Sequence, residues 1–150
     1  MLIGNYSSNL TSGRRVAIPK KFREEIGKKI IIAKWYEGCL VVSKIDKWRE
    51  IMDLLTGRAS VITAPVRDTD RFVMGSAFEL EADAQGRVIL PQQLVEYGGL
   101  KSEVLFVGLG NRVEIWAKEE WERRESYLSE KASEMVEKLA LEQKGGVAVD

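Results

Sequence analysis

Between Arg14 and Lys29 the chain carries seven basic residues, Arg14, Arg15, Lys20, Lys21, Arg23, Lys28 and Lys29, opposed by Glu24 and Glu25 alone. Seven minus two leaves +5 over sixteen residues, in a 150-residue chain whose 23 Lys+Arg and 23 Asp+Glu cancel. The chemistry open to such a cluster is phosphate recognition. Arginine presents a planar fork that grips phosphate, or a guanine edge, with two bonds. The matching part of the second half, Asp83 to Lys101, holds Arg87 and Lys101 against Asp83 and Glu96, a net of zero. Charge is therefore polarised along a neutral molecule, which lets it show a phosphate-attracting face without a basic coat. Asp83 stands four residues before Arg87, so that arginine has a structural reading as an ion pair beside its binding one. No local partner is visible for Arg14 or Lys20, which points to binding.

Other chemistries are poorly served. The chain has no His, which removes the commonest general acid/base and metal ligand. Its one Cys, Cys39, allows neither an intrachain disulfide nor a thiolate cluster and sits in an apolar strand, where a buried, inert thiol is expected. The largest group of acids, eight of the 23, falls in the C-terminal stretch Lys118 to Lys144, where a solvated face is expected. No GxGxxG, P-loop, GxSxG or HExxH pattern occurs. Gly108-Leu109-Gly110 is too short to cradle phosphate and reads as part of a hairpin turn. The residues thus point away from an enzyme, and no cofactor or metal is expected. The densest apolar run, Ile30-Ile31-Ile32-Ala33, is strand-sized, and the N-terminus lacks a secretory pattern. The expected setting is the cytoplasm.

The elements that position the cations are written twice. Arg15-Val16-Ala17-Ile18-Pro19 and Arg87-Val88-Ile89-Leu90-Pro91 match at an offset of 72 (87 minus 15). Tyr6 falls on Phe78, Phe22 on Leu94 and Gly27 on Gly99; after a one-residue slip, Leu40 falls on Val113, Val42 on Ile115 and Trp48 on Trp121. Each half reads as an opening strand, a turn (Thr11-Ser12-Gly13; Asp83-Ala84-Gln85-Gly86), a short strand, and a helix with Pro19 or Pro91 at its first position. A hairpin follows (Ile30 to Ser43; Val104 to Trp116), then a Trp-bearing helix. Ser43 and Asp46 stand in a capping-box relation before the first such helix. Pro65 and scattered polar residues between Gly57 and Asp70 suggest a loop or short hairpin strand. Lys118 to Lys144 reads as one long charged helix with a narrow stripe, Leu128, Ala132, Met135 and Leu139. An intrachain core contact is the favoured reading of that stripe, a seam against another subunit the next. Gly145 to Asp150 is expected to fray.

Two tandem copies of this pattern resemble the MraZ family of bacterial transcriptional regulators, built from two SpoVT/AbrB-type halves. The resemblance covers about residues 1 to 140 and is carried by Asp83-Ala84-Gln85-Gly86-Arg87-Val88-Ile89-Leu90-Pro91, Ile18-Pro19-Lys20-Lys21-Phe22-Arg23, and Glu114-Ile115-Trp116 with Trp121. It implies an α+β, mainly β fold. Two AbrB-like halves of the double-ψ or swapped-hairpin type would interleave as a pseudo-dimeric barrel with flanking helices. The expected segments are 1–56 (first repeat), 57–73 (linker), 74–127 (second repeat) and 128–150 (helical extension and tail). It further implies a homo-oligomeric ring, nucleoid association, and double-stranded DNA as partner, bound at repeated promoter boxes upstream of the division and cell-wall gene cluster. Thr11, Arg14, Arg15, Lys20, Lys21, Arg23, Asp83, Gln85 and Arg87 form the expected DNA-binding set, with no membrane or small-molecule substrate. One departure stands out. The family's Asp-x-x-x-Arg is intact only at Asp83 to Arg87; the first half has Thr11 in the Asp place and Gly13-Arg14 before Arg15. The other reading is a scaffold or antitoxin-like module whose basic cluster docks an acidic protein.

Overall fold

Runs such as Ile30-Ile31-Ile32-Ala33 and Leu40-Val41-Val42 are buried at consecutive positions, so their strands pack on both faces. The computed structural model describes residues 1–57 and 62–149, with side chains through Lys144. In chain order the elements are β1 (Leu2–Asn9), β2 (Arg15–Ala17), α1 (Lys20–Ile26), β3 (Lys29–Lys34), a 3-10 turn (Tyr36–Gly38), β4 (Leu40–Lys44), α2 (Ile45–Thr56) and α3 (Ala64–Val73). A second 3-10 turn (Met74–Ser76) leads to β5 (Phe78–Glu81), β6 (Arg87–Ile89), α4 (Gln92–Gly98), β7 (Glu103–Gly110), β8 (Val113–Ala117) and α5 (Lys118–Val149). The chain divides into two units, Met1–Lys118 and Glu119–Asp150. The class is α+β, with five α-helices among the described residues.

A six-stranded antiparallel sheet has the order β1-β7-β8-β4-β3-β5, and β2 pairs with β6 in a separate ribbon. The opening strand of each half thus pairs with the hairpin of the other, β1 with β7 and β5 with β3. The register carries the repeat. Val16 faces Val88 in the ribbon, and 16 plus 72 is 88. Val41 faces Glu114 in the sheet, and 41 plus 73 is 114. Equivalent residues meet at both places, so a local two-fold axis relates the halves there.

Ile30, Ile32, Leu40, Val42, Phe106 and Ile115 of the sheet close one core with Val16 and Val88 of the ribbon, Phe22 of α1 and Leu94 of α4. Each fully buried Ile, Leu or Phe contributes roughly 1.5–3 kcal/mol. The intervening residues Ile31, Ala33 and Val41 are buried on the opposite face, on the side of α2 and α3.

Five expectations need correction. Pro19 and Pro91 sit at the caps of α1 and α4, one residue ahead of the first helical position, with extended ψ of 136° and 139°. Ser43 is not a helix cap. It lies in β4, is 2% exposed, and donates to the Lys44 carbonyl, because it is in phase with Val41 on a buried face. Residues 64–73, expected as loop or hairpin strand within the linker, form α3, with Pro65 in its first turn; residues 58–61 of that segment lie outside the described residues. The α5 stripe is not core: Leu139 is 56% exposed, Ala132 is exposed, and Leu128 and Met135 are half-buried. The α5 backbone is helical through Val149, past the point where fraying is expected; Asp150 and the side chains from Gly145 onward lie outside the described residues.

Candidate nucleic-acid interface

The ribbon is three residues per strand, about 10 Å long. Alternation turns Val16 and Val88 into the core and leaves Arg15, Ala17, Arg87 and Ile89 on the outer face. Arg15 is exposed and Arg87 half-buried. Register pairs Arg15 with Ile89 and Ala17 with Arg87, so the arginines sit diagonally across the axis. Beside them lies a shallow depression of about 400 Å³ lined by both arginines, Asp83 and Ile89.

The turns feeding the ribbon share one backbone design. Thr11 N–H donates to the Arg15 carbonyl at 2.9 Å and Arg14 N–H to the Thr11 carbonyl at 2.9 Å; Asp83 N–H donates to Arg87 at 3.0 Å and Gly86 N–H to Asp83 at 2.9 Å. Their side chains differ. Thr11 Oγ1 accepts the Arg15 N–H at 3.1 Å, its one hydrogen bond among the described residues. Asp83 Oδ1 accepts the N–H groups of Gln85 and Arg87, both at 2.9 Å, and Oδ2 accepts Arg87 Nε at 2.9 Å. Arg87 is therefore held by a carboxylate, and Arg15 is not.

The Arg87 backbone N–H, with help from its guanidinium and the Gln85 N–H, holds the Asp83 carboxyl below its ordinary value of 3.8 against an opposing desolvation. A lowered carboxylate pKa stabilises the fold above the unfolded-state value, and that stability is lost as pH falls through the folded-state value. Asp83→Asn keeps an acceptor for the turn but loses the charge. The stability difference between wild type and Asp83→Asn in urea melts is expected to be flat above about pH 5 and to shrink below about pH 4. A difference independent of pH would show that the carboxylate charge does not hold this turn.

Arg14 and Arg23, read from the sequence as DNA contacts, both have structural partners. Arg14 Nε donates to the Leu90 carbonyl at 2.9 Å, and Arg23 Nε to the Ile18 carbonyl at 2.7 Å. Ile18 and Leu90 are repeat equivalents that end the two ribbon strands. The same bond is made from two different places. At offset 72, Arg14 aligns with Gly86 and Arg23 with Val95. Where α1 supplies the arginine, the turn has Gly86, φ 76°, under it; where α4 has Val95, the turn supplies Arg14 itself, φ 61°. The aligned halves carry this exchange as a signal; matching motifs by type passes over it. Of the remaining expected residues, Lys20 and Lys21 are exposed in the first turn of α1, and Thr11, Asp83 and Gln85 are exposed in the turns. The two turns lie at opposite ends of the antiparallel ribbon.

Cys39 is buried, its thiol 3.3 Å from the Tyr36 carbonyl. Burial first, then the Glu114 carboxylate, pushes that thiol up, away from a nucleophile. Among the described residues no helix is long and apolar enough to cross a membrane.

Fold and site together define a duplicated, strand-exchanged α+β protein that displays arginines on a surface ribbon. Residues 73–143 match the family model described as "MraZ protein, putative antitoxin-like". A protein named Transcriptional regulator MraZ from Caldanaerobacter subterraneus subsp. tengcongensis is 40% identical over 127 residues, covering 81% of this chain and 85% of that protein. Proteins of the same name from Thermoanaerobacter sp. (strain X514) and Caldicellulosiruptor saccharolyticus are 36% and 37% identical over 144 residues, covering 93% and 94% of this chain and 96% and 100% of those proteins. The chain belongs to the MraZ family, and these relatives are named as regulators of transcription.

Proposed function

We propose that this protein is a sequence-specific, DNA-binding transcriptional regulator acting as a ring-shaped homo-oligomer on repeated promoter boxes. The division and cell-wall gene cluster is the proposed target, and nucleoid association follows from DNA binding. The observation that carries the reading is Arg15 and Arg87 set across a two-fold axis on the outer face of a β-ribbon. A two-stranded ribbon fits the major groove, and arginine forks there bind guanine O6 and N7. Lys20 and Lys21 extend the cation surface beside it. The halves carry equivalent turns with unequal side chains, so each half is assigned its own part of the box. In the proposed barrel of two AbrB-like halves, the exchanged pairings of β1 with β7 and β5 with β3 supply the frame.

Selection from random DNA is expected to return a short repeated motif. Four phosphate contacts per subunit would give a log–log salt slope of about −3.6, so affinity falls about 150-fold between 50 and 200 mM salt. A flat salt response, with no enriched motif, would reject the reading and favour the protein-docking alternative.

A further inference from the structure

The outer face of the ribbon is a tile of four side chains whose symmetry is broken in one place. The Ile18 N–H donates to the Gly86 carbonyl at 2.9 Å and the Leu90 N–H to the Arg14 carbonyl at 2.8 Å. Bonded and non-bonded pairs alternate along an antiparallel ladder. Arg15–Ile89 and Ala17–Arg87 are therefore the non-bonded pairs, whose α-carbons stand about 4.5 Å apart with their side chains close. The two-fold axis at Val16 and Val88 carries Arg15 onto Arg87 and Ala17 onto Ile89, since 17 plus 72 is 89. The arginines match and their neighbours do not: Arg15 has an isoleucine beside it, and Arg87 an alanine. Ile89 is 49% exposed, the one large apolar side chain that the ribbon shows to solvent, and it lines the depression of about 400 Å³ together with both arginines. A lone exposed isoleucine is ordinary on a protein surface. This one has Arg15 across the ribbon and Arg87 two residues back on its own strand, on the face assigned to DNA.

We propose that Ile89 is a base-reading residue that packs on the C5 methyl group of a thymine in the major groove, which rests on the DNA-binding reading above and names a part of its target. The thymine methyl is the main apolar group that base edges show in that groove, so it is the partner of an apolar side chain set among groove-facing cations. Arg87 and Ile89 project from the same face of β6 two residues apart, about 6.7 Å, which is the rise of about two bases along one strand. β6 therefore supplies both base readers. Arg87, oriented by the Asp83 carboxylate, takes a guanine, and Ile89 takes a thymine within two steps of it. β2 supplies the complement: Arg15, with no carboxylate at Thr11, follows a phosphate, and Ala17 brings a single methyl group to the groove. The inequality of the halves that begins at Thr11 and Asp83 thus continues onto the ribbon itself.

The test uses the full chain and duplexes carrying the motif selected from random DNA, with each thymine in turn replaced by uracil. That replacement removes the methyl group and keeps the hydrogen-bonding edge. In fluorescence anisotropy at fixed salt, wild type is expected to lose about fourfold in affinity, the factor for one buried methyl group, at a thymine within two steps of a guanine. Ile89→Ala is expected to bind the thymine and uracil duplexes alike and to keep the wild-type salt slope, since no charge changes. Ala17→Ile is the converse variant and puts a β-branched residue in a strand, so it keeps the test decisive if Ile89→Ala melts early. Selection with Ala17→Ile is expected to enrich a second thymine at the two-fold-related position. Wild type that binds every uracil duplex as tightly as the thymine duplex overturns the assignment and leaves the DNA-binding reading standing. So does an Ile89→Ala variant that keeps the wild-type preference for thymine, or an Ala17→Ile selection that returns the wild-type motif. A wild type with no enriched motif and a flat salt response overturns the DNA-binding reading beneath it.

Discussion

An Arg15→Ala/Arg87→Ala variant is expected to bind selected promoter DNA at least a hundredfold more weakly than wild type, with an unchanged melting temperature. Each arginine that reads a base or holds a phosphate contributes about 1–3 kcal/mol, and two at about 1.4 kcal/mol each already give a factor of a hundred. Stability is expected to hold because Arg15 is exposed and the Arg87–Asp83 pair is an exposed, screened ion pair. The single variants separate the roles. Arg87 is pre-oriented by Asp83 Oδ2, so its loss is expected to relax sequence discrimination. Arg15 has no carboxylate at Thr11, so its loss is expected to weaken all sequences alike and reduce the salt slope by about one. Fluorescence anisotropy across a salt series reads both quantities. Full affinity in the double variant would take the ribbon out of the interface and leave Lys20 and Lys21 as the surviving cations.

The tandem architecture is legible because it is written in repeated residue types. The 72-residue offset that aligns Pro19 with Pro91 also brings Val16 opposite Val88. Strand exchange has no such local mark, since nothing in the residues of β1 names β7 rather than a strand of its own half as partner. Pro65 misleads because proline serves both loops and first helical turns, and its polar neighbours hide the apolar face that ends in Phe72 and Val73. Ser43 misleads for a related reason. A serine ahead of an acid by three matches a cap, but strand phase places it beside Val41 and Cys39 on a buried face. At the site, Thr11, Asp83 and Arg87 are legible since their partners lie within four residues. Arg14 is not, since the carbonyl it meets is 76 residues away.

Gly86→Ala is expected to be strongly destabilising for one added methyl group. A Cβ at Gly86 would lie 2.3 Å from Arg23 Nε and 2.7 Å from its Cδ and Cζ. The arginine is flexible and would move aside, but moving breaks its 2.7 Å bond to the Ile18 carbonyl. Losing a charge-assisted bond to a strand-end carbonyl costs about 1.5–3 kcal/mol. The backbone adds its own cost, since φ is 76° and an L side chain there costs about 1–2 kcal/mol. The sum is about 2.5–5 kcal/mol, a fall in melting temperature of about 8–15 °C at about 3 °C per kcal/mol. The two contributions separate in a double-mutant cycle. With Arg23→Ala already present the alanine meets no guanidinium, so Gly86→Ala is then expected to cost only the backbone part, leaving a coupling of about 1.5–3 kcal/mol. Additive costs would mean that Gly86 is not there to make room for Arg23. The repeat supplies the converse experiment. Arg14→Gly breaks the bond to Leu90, and adding Val95→Arg rebuilds the arrangement of the other half, with an α4 arginine over a turn glycine. That pair is expected to recover most of the stability lost in Arg14→Gly alone, because the Leu90 carbonyl regains a donor from the side that serves Ile18.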